Sequence, residues 1–305
     1  MEIGRFAPTP SGRMHLGNLF SGLLAWLSAR SMGGEMLLRI EDLDTPRCPP
    51  ENAELMRSDL RWLGLDWDYE QTPQRERTTA YERALEQLSH GGTVFPCWCS
   101  RADLNSAPNA PHASDGHTIY PGTCRTLTAE QRREKSALRA PLWRLGVPER
   151  EIAFSDGNYG LYRENLAREC GDFILRRADG VFSYQLAVVV DDIAGGVTQV
   201  VRGRDLLSST PRQLYLYELL GAPPPRYYHL PLLTASDGRR LSKRDRDLDM
   251  GLLRQRYSPE VLVGTLAHAA GLLERPEPCT PGELVKLFAW EKIGTKDVPI
   301  QLPNP

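Results

Sequence analysis

The stretch Arg5-Phe6-Ala7-Pro8-Thr9-Pro10-Ser11-Gly12-Arg13-Met14-His15-Leu16-Gly17-Asn18 decides the fold of this chain. Residues Ile3 to Ala7 alternate in polarity as a short strand does, and Pro8 to Gly12 is a turn rich in Pro, Ser and Gly. Leu16, Leu19, Phe20, Leu23, Leu24 and Leu27 then recur at helical spacing, so a helix starts near His15. Gly33-Gly34 ends it, and Glu35 to Ile40 is the next strand. A right-handed strand–helix–strand unit of this kind is the building block of a doubly wound parallel sheet. The fold class expected is α/β: a Rossmann-like doubly wound parallel sheet with a metal-containing insertion and a short C-terminal helical segment.

Outward from this unit, Thr210-Pro211 opens a helix as N-cap and N1, and Gly221 closes it. Ser258-Pro259-Glu260 opens another that ends near Gly271, and Thr280-Pro281-Gly282-Glu283 is a capping box. Ala222 to Pro225 is a rigid connector, and Leu186 to Val190 reads as a buried strand or helix turn. Between Val94 and Phe182 the pattern breaks into short strands, turns and a polar stretch, as an insertion carried by the sheet does. The division expected is 1–93 and 183–250 as the two halves of the catalytic body, 94–182 as the insertion, and 251–305 as the helical segment.

With 305 residues, 25% charged and 41% apolar, the chain falls among ordinary globular proteins. A net charge of −2 advertises no global attraction to nucleic acid, so any RNA contact must use a local basic surface. No run approaches the ~18 apolar residues of a membrane span, and no secretory pattern opens the chain. A cytoplasmic, reducing location is the default expectation, and a monomer the default state. Among Cys48, Cys97, Cys99, Cys124, Cys170 and Cys279, the three at 97, 99 and 124 are spaced as metal ligands rather than disulfide partners. Three thiolates suit Zn²⁺ in a closed structural site, which wants a fourth donor; His112 and His117 are near enough in sequence to supply it. The other cysteines read as small core or surface residues.

The helix N-terminus at His15 presents unpaired N–H groups and partial positive charge, which suits phosphate. His15 can donate to a phosphate oxygen, and Gly17 leaves room for a base against the backbone. Alone, His-x-Gly reads rather as a Pro/Gly turn with a capping histidine. A second stretch, Arg240-Leu241-Ser242-Lys243-Arg244, lies in a segment (239 to 256) with seven basic and three acidic residues. Together the two stretches fit one reaction, activation of a carboxylate by ATP. The carboxylate attacks the α-phosphorus, charge builds on phosphate oxygens and pyrophosphate leaves. Positioning and positive charge supply the catalysis without a protein nucleophile.

The first stretch resembles the HIGH signature of the class I aminoacyl-tRNA synthetases, with Asn18 in place of the second His. Leu241-Ser242-Lys243 resembles their KMSKS loop. Arg5-Phe6-Ala7-Pro8-Thr9-Pro10-Ser11-Gly12, followed by Arg39-Ile40-Glu41-Asp42-Leu43-Asp44-Thr45-Pro46-Arg47, is similar to the glutamyl branch. The resemblance implies that His15, Gly17, Asn18, Leu241, Ser242 and Lys243 bind ATP with its Mg²⁺, with Lys243 and His15 catalytic. It implies that Arg5, Phe6, Ala7, Pro8, Thr9, Glu41, Tyr184 and Arg202 hold L-glutamate. Glu41 would receive the α-ammonium. Arginine forks match carboxylates, and Arg202 (in Val200-Val201-Arg202-Gly203) would leave charge unpaired against a neutral glutamine.

Sixty-one residues follow Arg244 (305 minus 244), too few for the large anticodon-binding region of the long glutamyl enzymes. That length, with the Cys97-x-Cys99…Tyr120-x₃-Cys124 insertion, resembles the short glutamyl-queuosine tRNA(Asp) branch of the family. The branch implies a zinc site completed by Tyr120. It also implies tRNA-independent formation of glutamyl-adenylate, then transfer to a hydroxyl of the queuosine base in the anticodon loop of tRNA(Asp). The rivals are charging of tRNA(Glu) by a truncated enzyme, a catalytically silent RNA-binding module, and a small-molecule nucleotidyltransferase sharing the His-x-Gly element.

Overall fold

The computed structural model describes residues 1–100, 103, 119–235 and 249–303. The expected unit at the N-terminus is present: strand β1 (Ile3–Phe6), helix α1 (Leu16–Ser31) and strand β2 (Glu35–Arg39). β1 and β2 are parallel in the register Gly4↔Met36 and Arg5↔Leu37. Gly33 takes φ +65°, the left-handed conformation that releases the chain from α1 toward β2. Helix α2 (Pro50–Trp62), strand β3 (Tyr69–Gln71) and helix α3 (Thr78–His90) follow.

Next come β4 (Val94–Cys97), α4 (Ala129–Leu138), β5 (Leu142–Leu145), β6 (Glu151–Asp156), β7 (Gly160–Asn165), α5 (Leu166–Glu169) and β8 (Phe173–Arg176). These include an antiparallel sheet ordered β4-β5-β8 and a hairpin, β6-β7. Helix α6 (Tyr184–Ala194) shows that the apolar run at 186–190 is helical, capped by the Ser183 hydroxyl. Strand β9 (Gln199–Gly203), helix α7 (Thr210–Leu220) and strand β10 (Arg226–Leu230) complete the central sheet. Its order is β10-β9-β1-β2-β3, all parallel. The chain travels one way from β1 through β2 to β3, then returns to the other side of β1 with β9. The switch point lies between β1 and β9, where an open α/β sheet leaves a crevice at its carboxyl edge.

Thr210 is the first residue of α7 rather than its cap; Ser209 holds the cap position without a side-chain bond. The Thr210 hydroxyl is engaged elsewhere, accepting from Arg202 Nη2 at 2.9 Å. Gly221 closes the helix at φ +70°.

The last part of the chain has β11 (Leu233–Thr234), α8 (Met250–Arg256), α9 (Pro259–Ala269), α10 (Pro281–Leu284) and β12 (Val298–Pro299). It is not wholly helical: β12 pairs in parallel with β11. Helix α1 is buried nearly all round because β1, β2 and β9 cover one side while α9 and α10 cover another. Leu262, Leu266, Leu284, Ile293 and Ile300 share one apolar cluster with Leu16, Leu19, Leu23 and Leu27. Each such side chain contributes ~1.5–3 kcal/mol by leaving water, so the C-terminal segment is part of the core that holds α1 against the sheet.

Candidate functional site

A cavity of about 450 Å³ opens at the switch point. Its wall includes Arg5, Phe6, Ala7, Pro8 and Thr9 from the end of β1 and the loop after it, and His15, Gly17 and Asn18 from the start of α1. Glu41 enters from beyond β2, Tyr184 from the first position of α6, and Arg202 from β9. The structure therefore gathers all the expected glutamate and ATP residues among those described. Leu241, Ser242 and Lys243 lie outside the described residues, as do His112 and His117. The flanks of the 236–248 segment are at the site: Leu233 lines the cavity, and Asp249 forms a bridge with His15. Met250 N donates to Met14 O at 3.0 Å.

His15 is the N-cap of α1. Its Nδ1 accepts from Gly17 N at 3.1 Å, and Asn18 Oδ1 accepts from His15 N at 3.1 Å. This reciprocal pair is a capping box built from a histidine and an asparagine. It gives Asn18 a structural task beside the nucleotide contact expected of it. At Gly17 a Cβ would sit 3.0 Å from His15 Cε1, so the glycine also makes room for the folded-back imidazole. The Pro8 carbonyl accepts from Glu41 N at 3.0 Å, tying the motif loop to the end of β2.

Behind the cavity wall is a buried charge network. Arg39, fully enclosed, donates to Asp192 Oδ1 at 2.6 Å and to Glu41 Oε1 at 3.2 Å. Arg5 donates to Val201 O at 3.3 Å, and its Nε stands 3.7 Å from Asp192 Oδ1 without a hydrogen-bond partner among the described residues. Burial raises the Glu41 carboxyl above its ordinary value, more than Arg39 and Arg5 lower it. Sequence reading quoted Arg39 only as the start of its motif and missed Asp192, which lies in an ordinary helix pattern, because nothing local marks the ion pair.

Arg202 differs from Arg5. It is buried, and the partners it does have are neutral: His229 Nε2 at 3.1 Å, Thr210 Oγ1 at 2.9 Å and Leu206 O at 3.4 Å. Its Nη1 is buried with no hydrogen-bond partner among the described residues. A buried guanidinium nitrogen left without a partner is costly unless a ligand completes it. His229 is wholly buried, with Nδ1 2.6 Å from Asp156 Oδ2. Burial, aided by Arg202 and Arg5, keeps the imidazole below its ordinary value despite the opposite pull of Asp156. Burial alone would raise Asp156; the hydrogen bonds from His229 and from backbone N–H groups outweigh it and lower the carboxyl.

In the β4-β5-β8 sheet region, the sulfurs of Cys97, Cys99 and Cys124 lie within 4.8 Å of one another, and the Cys99–Cys124 separation is 3.6 Å. A tetrahedral ion with metal–sulfur bonds of ~2.3 Å sets its thiolates about 3.8 Å apart, so the trio fits a metal ion. Tyr120 Oη stands 3.5 Å from Cys97 Sγ and accepts from Cys124 N at 2.7 Å. Arg144 lies over the Tyr120 ring, 4.0 Å from its centroid, and donates to Cys97 Sγ at 3.4 Å. Cys48 is buried; Cys170 and Cys279 are partly so.

Residues 3–279 match the family model described as tRNA synthetases class I (E and Q), catalytic domain. A curated relative from Symbiobacterium thermophilum, "Glutamyl-Q tRNA(Asp) synthetase", is 49% identical over 99% of this chain and 96% of its own. One of the same name from Nitratidesulfovibrio vulgaris is also 49% identical, over 97% and 94%. Among solved structures, a glutamate-tRNA synthetase from Elizabethkingia anophelis is similar with a TM-score of 0.85 at 26% identity, covering 98% of this chain and 68% of that one. A glutamate tRNA ligase from Elizabethkingia meningosepticum, in complex with its amino acid, has a TM-score of 0.83 at 26% identity, covering 99% and 67%.

Proposed function

This chain belongs to the class I glutamyl and glutaminyl tRNA synthetases, and from that premise we propose that it joins L-glutamate to queuosine-containing tRNA(Asp) in two steps. In the first, glutamate and MgATP give glutamyl-adenylate and pyrophosphate without tRNA. In the second, a hydroxyl of the queuosine base in the anticodon loop attacks the activated carbonyl and AMP leaves. The reading places the reaction in the cytoplasm, on a monomer.

The observation that carries this reading is the pair of buried arginines lining one cavity, with Arg202 Nη1 lacking a hydrogen-bond partner among the described residues. In the proposed complex Arg202 takes the side-chain carboxylate of glutamate, Glu41 the α-ammonium, and Arg5 the α-carboxylate end. Phe6 to Thr9 and Tyr184 shape the pocket around them. His15 and the N-terminus of α1 meet the ATP phosphates, with Gly17 and Asn18 holding that turn in shape. Leu241, Ser242 and Lys243 close on the phosphates, with Lys243 neutralising the charge that builds as pyrophosphate departs. Support for this last role is that both described flanks of its segment sit beside His15 and the cavity. We assign Zn²⁺ to Cys97, Cys99, Cys124 and Tyr120 as a closed structural site that stiffens the insertion.

Glutamate-dependent exchange of pyrophosphate into ATP without tRNA tests the first step. Transfer of labelled glutamate to tRNA(Asp) with queuosine, beside tRNA(Asp) lacking it and tRNA(Glu), tests the second. Exchange that requires tRNA, or labelling of tRNA(Glu) in preference, would refute the proposal. The names carried by the curated relatives favour queuosine over tRNA(Glu) charging.

A further inference from the structure

The tip of the β6-β7 hairpin reaches into the central sheet. Gly157 N donates to Tyr227 O at 2.9 Å, and a Cβ on Gly157 would lie only 2.0 Å from the Tyr228 ring. The hairpin thus docks its turn directly on β10, with Asp156 buried behind Arg202. The two Asp156 oxygens have different tasks. Oδ1 accepts from three backbone N–H groups: Tyr159 at 2.9 Å, Asn158 at 3.0 Å and His229 at 3.2 Å. Oδ2 faces His229 Nδ1 at 2.6 Å.

This arrangement fixes the histidine tautomer. A carboxylate can only accept, so Nδ1 carries the proton and Nε2 is a bare acceptor. Nε2 receives Arg202 Nε–H at 3.1 Å, while Nη2 is spent on Thr210 and Leu206. The guanidinium is held by two of its three nitrogens, and the third, Nη1, is the one without a hydrogen-bond partner among the described residues. We propose that Asp156 and His229 are positioning residues that orient the Arg202 guanidinium for an acidic side chain, and so help set the preference for glutamate over glutamine. The inference rests on the glutamate reading above and goes beyond it, since neither residue touches the cavity.

Asp156→Asn is the discriminating variant because it keeps the shape. The three backbone N–H groups require an oxygen, so the Asn amide nitrogen must take the place of Oδ2. It then donates to Nδ1, the proton moves to Nε2, and Nε2–H meets Arg202 Nε–H as donor against donor. Pyrophosphate exchange should show KM for glutamate raised about 10- to 100-fold, the range that removal of a group orienting a metal ligand produces. KM for ATP should be unchanged, the glutamate-to-glutamine ratio of kcat/KM should fall, and the melting temperature serves as the control for folding. An unchanged KM for glutamate in the folded variant overturns the inference, as does a parallel rise in KM for ATP. ¹⁵N shifts of the His229 ring in the unaltered protein give a second, variant-independent check. Protonated Nδ1 with bare Nε2 is expected, and protonated Nε2 overturns it. Failure of the unaltered protein to exchange with glutamate would instead refute the glutamate reading, so the two failures are told apart.

Discussion

At the scale of single residues, the proposed site leaves a charge unfinished: Arg202 Nη1 is buried with no hydrogen-bond partner among the described residues. Lys243 supplies charge to the departing pyrophosphate in the proposed reaction. Lys243→Ala should therefore lower the exchange rate by about 2.7–4 kcal/mol of transition-state stabilisation, roughly 100- to 1000-fold, with little change in glutamate binding. Equal losses in both would place the lysine in ground-state binding instead. Glu41 gives a pH prediction. Its folded value is raised, so between the ordinary carboxylate value and that raised value it holds a proton in the free protein. An arriving ammonium favours the ionised form. Glutamate binding should then release a proton in that interval, and the release should fade as pH rises beyond it. Calorimetry in two buffers of different ionisation heat reads this directly; identical heats in both would exclude Glu41 as the ammonium partner.

At the scale of elements, the switch between β1 and β9 puts Arg5 and Arg202 on neighbouring strands at the same sheet edge, although 197 residues separate them (202 minus 5). The metal trio acts on a different element, joining β4 to the turn that carries Tyr120 and Cys124. In a sheet of three short strands with a small apolar cluster, Phe95, Trp98 and their neighbours, the proposed closed zinc site would add cross-linking. Elemental analysis should find about one zinc per chain. Stripping it with a chelator, or Cys97→Ser, should increase protease cleavage within 94–182. A metal-free protein with unchanged proteolysis would deny the ion a structural role.

At the scale of the whole molecule, the C-terminal segment and the sheet share one core through α1. Leu266 is almost completely buried there. Leu266→Ala should cost about 2–5 kcal/mol and also weaken ATP binding, because α1 carries the N-terminus on which the phosphates are proposed to sit. A loss of stability with untouched ATP affinity would show that the core and the site are uncoupled. The α/β class was legible in the sequence, since strand, turn and helix in residues 3–40 are dictated by local periodicity and by Pro and Gly backbone preferences; the synthetase family was legible only through the resemblance of the motifs at 5–18, 39–47 and 241–243. The clustering of the cysteine trio was legible from its spacing, and the meeting of Arg5, Glu41 and Arg202 at one cavity from their motifs. What only the tertiary structure decided is the company they keep: Arg39 with Asp192, and the Asp156–His229 pair behind Arg202. Hydrogen bonds between residues dozens of positions apart leave no local pattern, because they depend on which strands the topology makes neighbours and on which atoms burial deprives of water.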